Sequence, residues 1–463
     1  MNYLFYDYET SGRNEKFDQI FQFAGIRTDD KFRQIGEPLE YFCKLRADVL
    51  PSPWAIKVNQ IDISELNSKG LSEFEFAKKV SAALLGDGDQ CIVGYKSKTF
   101  DNNFTRFLLY RNFFEPYAWS YLNGNSCLDI FDVVCLGYSF ERLTDIQVND
   151  GSGDDSLKLE NLAKWNGLNH DHAHEAVSDV LATIHLARLV NEKCPRLFEY
   201  VLRLRNVAEA RSIFFTKNKF FHSSTTNGYE RRFLSLHTGL CDHPTFPRYV
   251  VGWNLENDPA EILDLSAEEI RNEMYAKKQY RSINVGFDDF KLNGSPMIVP
   301  FFEAQKNRVA DYEACAKNLE AVQKNEDSLV SLATKIFDSE IPEEDPDADL
   351  YVGDYFGEMR ADEKLCRAVR VDPMTVDDSE FKSPRLRRMF RRMKARNFFN
   401  RLTDVEQEQY ERFCAEKSLC SEDKNWQTKS VFDQELVEVL ADVNLSERQR
   451  HCLTVLRQHV ENM

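Results

Sequence analysis

No apolar run in this chain approaches the roughly 18 residues needed to cross a bilayer, so a membrane-spanning helix is not expected. The eleven cysteines include no CxxC pair, and none stands near a histidine at zinc-ligand spacing. That pattern offers no zinc-site signature and predicts reduced, mostly buried thiols in a reducing compartment. Internal repeats and low-complexity tracts are also missing. Positive charge is in deficit, with 59 Lys and Arg against 76 Asp and Glu and a net charge of −17. Such a balance excludes a protein that coats nucleic acid indiscriminately, although a local basic groove can sit on an acidic body. The opening MNYLFYDYETSG lacks a basic stretch followed by an apolar run, so no secretory signal is expected and a cytoplasmic location is.

At 463 residues the chain is long enough for about three domains. Short apolar runs at 2–8, 19–28, 37–44 and 91–95 read as strands, and helical periodicity appears at 71–85, 104–112, 157–167 and 175–192. That order predicts an α/β domain over residues 1–192, a mixed sheet covered by helices. After Pro195 the texture changes to short strand-like pieces with one helical stretch at 266–278, predicting a β-rich domain over 196–342. The acidic, proline-containing SEIPEEDPDADL (339–350) reads as a linker. Helical patterning resumes at Tyr351 and predicts a helical domain over 351–463.

Asp7 and Glu9 stand two apart in the strand-like Y-D-Y-E-T run, so both carboxylates leave the same face. Acids so close on an apolar strand repel unless a cation lies between them; a solvated hairpin edge is the plainer alternative. Asp101 falls where a strand leads into a helix, and an N-cap role would explain it equally well. Asp179 opens an amphipathic helix, with His174 five residues earlier. On one continuous helix those two would lie about 140° apart. They share a site only if His174 belongs to the preceding loop or first turn. A loop-borne histidine beside a helix-borne aspartate suits a general base next to a rigid metal ligand.

Together, Asp7 and Glu9, then Asp101, then His174 with Asp179 resemble the motif order of the DEDD 3′→5′ exonucleases in their histidine-containing form. The likeness narrows to the bacterial exodeoxyribonuclease I family through FYDYETSG, FAGIRTD, IGEPLEYFCK, FDNNFTR with YRNFFEPYAWS, NSCLDIFDVV, KLENLAKWNGL, HAHEAVSDVLATIHLA, PRLFEYV and KARNF. It is weakest in the middle of the chain. The resemblance implies a ribonuclease H-like mixed-sheet exonuclease domain, an SH3-like β-barrel domain and a C-terminal helical domain. It further implies degradation of single-stranded DNA to 5′-mononucleotides in repair or recombination, and a monomer is the default expectation for a chain that supplies its own groove. The implied cofactor is Mg²⁺, as two ions, with Mn²⁺ able to substitute.

In-line cleavage of a phosphodiester develops charge on the attacking water and on the leaving 3′-oxygen, and two ions about 3.5–4 Å apart stabilise both. Mg²⁺ prefers oxygen ligands. By resemblance the ligands are Asp7, Glu9, Asp101 and Asp179, with Asp7 bridging, Asp179 completing one ion and Asp101 acting through water. His174 is then the general base, its ordinary pKa of about 6.5 suiting neutral pH; His172 is the weaker competitor. Glu9 and Thr10 would touch the terminal nucleotide. Lys158 falls where the family carries a basic residue, usually Arg, and keeps the charge without bidentate geometry. Arg106, Tyr117 and Tyr121 interleave charge with rings, as a single-strand groove requires, although core packing explains the tyrosines equally well.

The sequence departs from the family pattern at Asn102 and Asn103, where further acids are expected, and at Cys135-Leu136-Gly137, in place of an arginine-rich stretch. Family marks in the middle segment are His222, the His243-Pro244 pair and DLSAEEIRNEMYAKK. The FFTKNKFFH run (214–222) suits either DNA contact or a half-buried strand. KSPRLRRMFRRMKARNFF (382–399), the densest basic stretch, is expected to track phosphates. The acidic C-terminal tail of single-stranded DNA-binding protein is the expected partner. Two rivals remain: an RNA-directed or proofreading-type 3′→5′ exonuclease, and a silent single-strand-binding scaffold.

Overall fold

The computed structural model describes residues 1–462 except 152, 169–174, 217–218, 277, 302–310, 339–342 and 421–424. The chain divides into two compact units: residues 1–125, 169–184 and 341–463 form the first, and 126–168 with 185–340 the second.

In the first unit, β1 (Asn2–Thr10), β2 (Ile20–Thr28) and β3 (Leu39–Phe42) form an antiparallel meander. Two short helices follow, α1 (Pro53–Asn59) and α2 (Ile63–Lys69), then α3 (Glu73–Leu85), β4 (Gln90–Gly94) and α4 (Asp101–Arg111). The strand β4 joins β1 in parallel, giving the order β3-β2-β1-β4 and placing β1 inside a mixed sheet. The β1–β4 register ends at the Phe5–Val93 pair, while β1 runs on to Thr10. The last five residues of β1 therefore run past its final pair with the parallel neighbour, at the carboxyl end where open α/β sheets place their ligands. The predicted strands and the long helices are all present. The two seven-residue helices were not foreseen; α1 starts on a Ser52 cap with Pro53 at its first position and ends at Gln60 with φ 54°.

The C-terminal helices belong to the same unit because they share its core. Phe74, Phe107, Tyr110 and Phe113 pack with Leu350, Tyr355, Phe381, Phe390 and Met393. Phe21, Ile56, Ile63 and Leu66 pack with Phe432, Leu436, Cys452 and Leu453. The linker expectation for 339–350 needs correction over its described part. Asp347, Ala348, Asp349 and Leu350 are buried, and Tyr110 Oη donates to Pro346 O at 2.7 Å. Two of the acids that made this stretch look solvated, Asp345 and Asp347, are neutralised by Arg392 and Arg396.

The second unit carries a five-stranded antiparallel sheet in the order Ile298–Pro300, Phe220–Ser223, Leu234–Asp242, Tyr249–Asn254, Phe287–Lys291. The helices Tyr312–Lys324 and Glu326–Phe337 were missed in the sequence. They bury Cys315, Val322, Leu329, Ala333 and Ile336 against Trp253, Leu255 and Ile270. All eleven cysteines are free thiols, and eight are buried. Among the described residues no helix is long and apolar enough to cross a membrane.

Candidate active site

The projecting end of β1 carries the acids. Strand alternation puts Tyr3, Phe5, Asp7 and Glu9 on one face and Tyr6 and Tyr8 on the other. Asp7 lies opposite Ala24 and Glu9 opposite Gln22, so the pair sits within the sheet and not on a hairpin edge. Ligand oxygens of Asp7, Glu9 and Asp179 lie within 4.8 Å of one another. Asp179 comes from the first turn of the helix Ala176–Lys193.

Asp101 is the first residue of α4, and Phe100 holds the cap position. Its Oδ1 accepts the Tyr8 N–H at 3.2 Å, three residues beyond the last β1–β4 pair. Asp101 thus serves the sheet, not its own helix end. Burial pushes the Asp7 carboxyl well above its ordinary range, and the negative charges of Asp101, Glu9 and Asp179 push it further. Glu9 is raised likewise, by burial first and then by Asp179 and Asp101. Acids concentrated this way have the chemistry a divalent cation requires: hard oxygen donors, mutually repelling until a positive charge joins them.

The opposite face of β1 fixes α4. Tyr6 Oη donates to Asn102 Oδ1 at 2.6 Å, and the Tyr8 and Thr105 hydroxyls share a 2.8 Å bond. Asn102 is buried, so the absence of a further acid there has a local reason: its amide oxygen serves a core tyrosine. Asn103 Oδ1 accepts from Arg106 Nη1 at 2.6 Å, and the Arg106 guanidinium lies 5.4 Å from the Tyr117 ring centre. Tyr117 also packs against Phe356, while Tyr121 is exposed. Thr10 is buried; its hydroxyl donates to Gly12 O at 2.7 Å. Lys158, in the second unit, is exposed, with Glu160 at 3.8 Å. His172 and His174 lie outside the described residues.

Three family models match the chain in succession: Exonuclease over 4–187, Exonuclease I SH3-like domain over 205–339, and Exonuclease I C-terminal domain over 344–463. Exodeoxyribonuclease I of Haemophilus influenzae is 32% identical over 425 residues, 89% of this chain and 89% of that protein. The chain belongs to the exodeoxyribonuclease I family. Among solved structures, a zinc-bound Escherichia coli ExoI–ssDNA complex is 29% identical with a TM-score of 0.86, covering 100% of this chain and 99% of that one. An ExoI/SSB-Ct complex is similar at 28% identity and a TM-score of 0.87, covering 99% and 98%. The expected ribonuclease H-like, SH3-like and C-terminal helical organisation is therefore that of this family. The last two domains count against the RNA-directed rival, whose members generally lack them.

The family's arginine-rich position is a core position here, since Cys135, Leu136 and Gly137 are all buried. A Cβ on Gly137 would come within 2.5 Å of Leu143 Cδ2, which leaves no space for an outward arginine.

The basic stretch 382–399 is a correction. Its helix (Pro384–Phe398) directs most of its guanidinium groups at protein acceptors. Arg385 is buried on Glu358 and on the carbonyls of Asp349 and Val352. Arg391 binds Asp378, Arg392 binds Asp345, and Arg396 binds Asp347 and Asp48. Arg388 stays largely in solvent. A protein with surplus acid neutralises these cations internally, so a charge-dense helix became a structural strut. Sequence reasoning also passed over Asp18 and Arg111, both buried beside the site's loop.

Proposed function

We propose that this chain hydrolyses single-stranded DNA from its 3′ end, releasing 5′-mononucleotides, at Asp7, Glu9, Asp101 and Asp179 with His174 as general base. The convergence of Asp7, Glu9 and Asp179 within 4.8 Å carries the reading. The oxygen-only donor set fits Mg²⁺, with Mn²⁺ an alternative. Divalent cations bound there neutralise phosphate charge and lower the pKa of water.

The chain's own residues do the rest. Asp101, held by the Tyr8 N–H, adds negative charge at a fixed position behind Asp7. Thr10, directly after Glu9, meets the terminal nucleotide. Arg106 and Tyr117 offer a cation beside a ring, the pairing that holds phosphate and base of a single strand. Tyr121 extends that contact, and by resemblance to the family Lys158 also engages the DNA. The His174 imidazole takes the proton of the attacking water.

The similarity to an ExoI–ssDNA complex supports the substrate, and the ExoI/SSB-Ct complex supports the tail of single-stranded DNA-binding protein as partner. In this reading the enzyme works as a cytoplasmic monomer in DNA repair and recombination.

The test is to incubate purified protein with Mg²⁺ and 3′-labelled single-stranded DNA, beside 5′-labelled, duplex and RNA versions and an Asp179→Ala control. Mononucleotide release from the 3′ end of single-stranded DNA, lost in the variant, is the expected result. Preference for RNA, or binding without cleavage, would refute it.

A further inference from the structure

The loop that follows Glu9 is organised around a buried carboxylate with no part in the cation site. Asp18 is 9% exposed. Its Oδ2 accepts the Asn14 N–H at 2.8 Å, and its Oδ1 accepts the Ser11 hydroxyl at 3.4 Å. A Cβ on Gly12 would lie 2.2 Å from Asp18 Oδ2, so the carboxylate fills the space that any side chain there would need. Ser11 and Gln19 close the base of the loop with a 2.8 Å backbone bond, and Ser11 Oγ also accepts the Gln19 N–H at 2.9 Å. Within the loop the Thr10 hydroxyl donates to Gly12 O, just past a register irregularity between Glu9 and Thr10.

The same loop is anchored from outside. Arg111, on the helix that begins with Asp101, donates to the carbonyls of Lys16 and Asp18 at 3.1 and 3.3 Å. Phe17 packs on Trp426 with ring centres 5.3 Å apart, Lys16 pairs with Glu344, and Asn14 Nδ2 donates to Asn425 O. Burial pushes the Asp18 carboxyl up to about 6, against the lowering effect of its hydrogen bonds from Asn14 and Ser11.

We propose that Asp18 is a positioning residue for hydrolysis: it shapes the Thr10–Gly12 turn and so sets the terminal nucleotide against the four acids. This inference rests on the exonuclease reading above. Asp18 touches neither substrate nor cation; it acts through Ser11, Gly12 and Thr10. On that reading the strand is held mainly through Arg106, Tyr117 and Tyr121, so loss of Asp18 lowers turnover and leaves strand affinity largely intact.

The experiment measures kcat and KM on single-stranded DNA for wild type, Asp18→Asn, Ser11→Ala and the double variant, with thermal unfolding of each. Asp18→Asn keeps the shape but leaves one acceptor for two donors, so either the Asn14 N–H or the Ser11 hydroxyl meets an NH2 in place of an oxygen. The expected result is a kcat lower by about 10- to 100-fold, as for a small misplacement of reacting groups. KM should stay within about threefold, with the protein folded at the assay temperature. The double variant should be no slower than the worse single, because both act on one turn. If Asp18→Asn does not fold, Ser11→Ala decides by the same split. A rise in KM at unchanged kcat, or additive losses in the double variant, would overturn the proposal. An active wild type beside an equally active Asp18→Asn overturns this inference alone. A wild type that degrades nothing overturns the exonuclease reading, and this inference with it.

Discussion

Replacing Asp48 by Ala should destabilise the first unit more than any other single acid-to-alanine change in it. Asp48 is buried and meets four groups: Arg46 at 2.9 and 3.0 Å, Lys417 at 3.2 Å, Arg396 at 3.5 Å and the Tyr410 hydroxyl at 3.3 Å. Burial alone would raise its pKa, but Arg46, Lys417 and Arg396 outweigh that and hold the carboxyl well below the usual range. Without it, Arg46 still pairs with Glu73 and Arg396 with Asp347, while the buried Lys417 loses its carboxylate at 3.2 Å. Removing one member of a buried ion network leaves charge uncompensated and costs about 3–5 kcal/mol. With a urea dependence of roughly 3 kcal/mol per molar, the first unfolding transition should move down by about 1–1.7 M. The assay is equilibrium urea unfolding followed by tryptophan fluorescence, comparing the first transition because a chain of this size need not unfold in one step. The exposed Arg33, paired with Asp29, supplies the contrast: Arg33→Ala should leave the midpoint where it was. Adding Arg396→Met to Asp48→Ala should recover part of the loss by removing one stranded cation. A shift below about 0.3 M for Asp48→Ala would refute the reasoning, since buried ions worth that little would have to be solvated.

Acid should act on the same network. Burial opposes ionisation of Asp48 and Glu73, but Arg46 with Lys417, and Arg46 with Arg111, lower both folded pKa values. Their stabilisation is complete above the ordinary carboxylate range and drains as pH falls below about 4, so urea midpoints should fall steeply there and less steeply in Asp48→Ala. Asp18 has the opposite sign: raised to about 6 by burial, it should add stability as pH drops from 7 to 5, a gain absent in Asp18→Asn. Tyr6→Phe should cost about 1–2 kcal/mol by leaving the buried Asn102 amide oxygen without its donor, read as a lower urea midpoint; no change would mean another group satisfies that oxygen. A chain cut after Lys324 or Asp338 should fail to yield a folded first unit. It would expose Phe74, Phe107, Tyr110 and Phe113, so a soluble, cooperatively unfolding fragment would disprove the shared core. Chelation should stop nucleotide release and Mg²⁺ or Mn²⁺ should restore it, whereas Asp179→Ala should not respond to added metal; activity in excess chelator would remove the cation from the mechanism.

The parts legible in the sequence were those with a local signature. A two-residue spacing on a strand places Asp7 and Glu9 on one face whatever surrounds it, whereas Asp101, at a strand-to-helix junction, was ambiguous by itself. Motif order then joined them to Asp179. What stayed hidden depends on distant partners. The helices α1 and α2 are too short to show periodicity and are held by Phe432, Leu436 and Leu453, nearly four hundred residues away in the chain. The basic helix misled for the same reason: arginines that look solvated in sequence find Asp48, Asp345, Asp347 and Glu358 in space. The acidic stretch before it misled in mirror image, and the two errors cancel in one ion network. Each segment, read alone, is a charged surface; read together, they form a buried joint that carries the C-terminal helices against the sheet. Asp18 shows the limit most sharply, since K-F-D-Q reads as an ordinary turn. Only the closed loop, with Gly12 against its carboxylate and Arg111 on its carbonyl, shows that this acid is buried beneath the turn that follows Glu9.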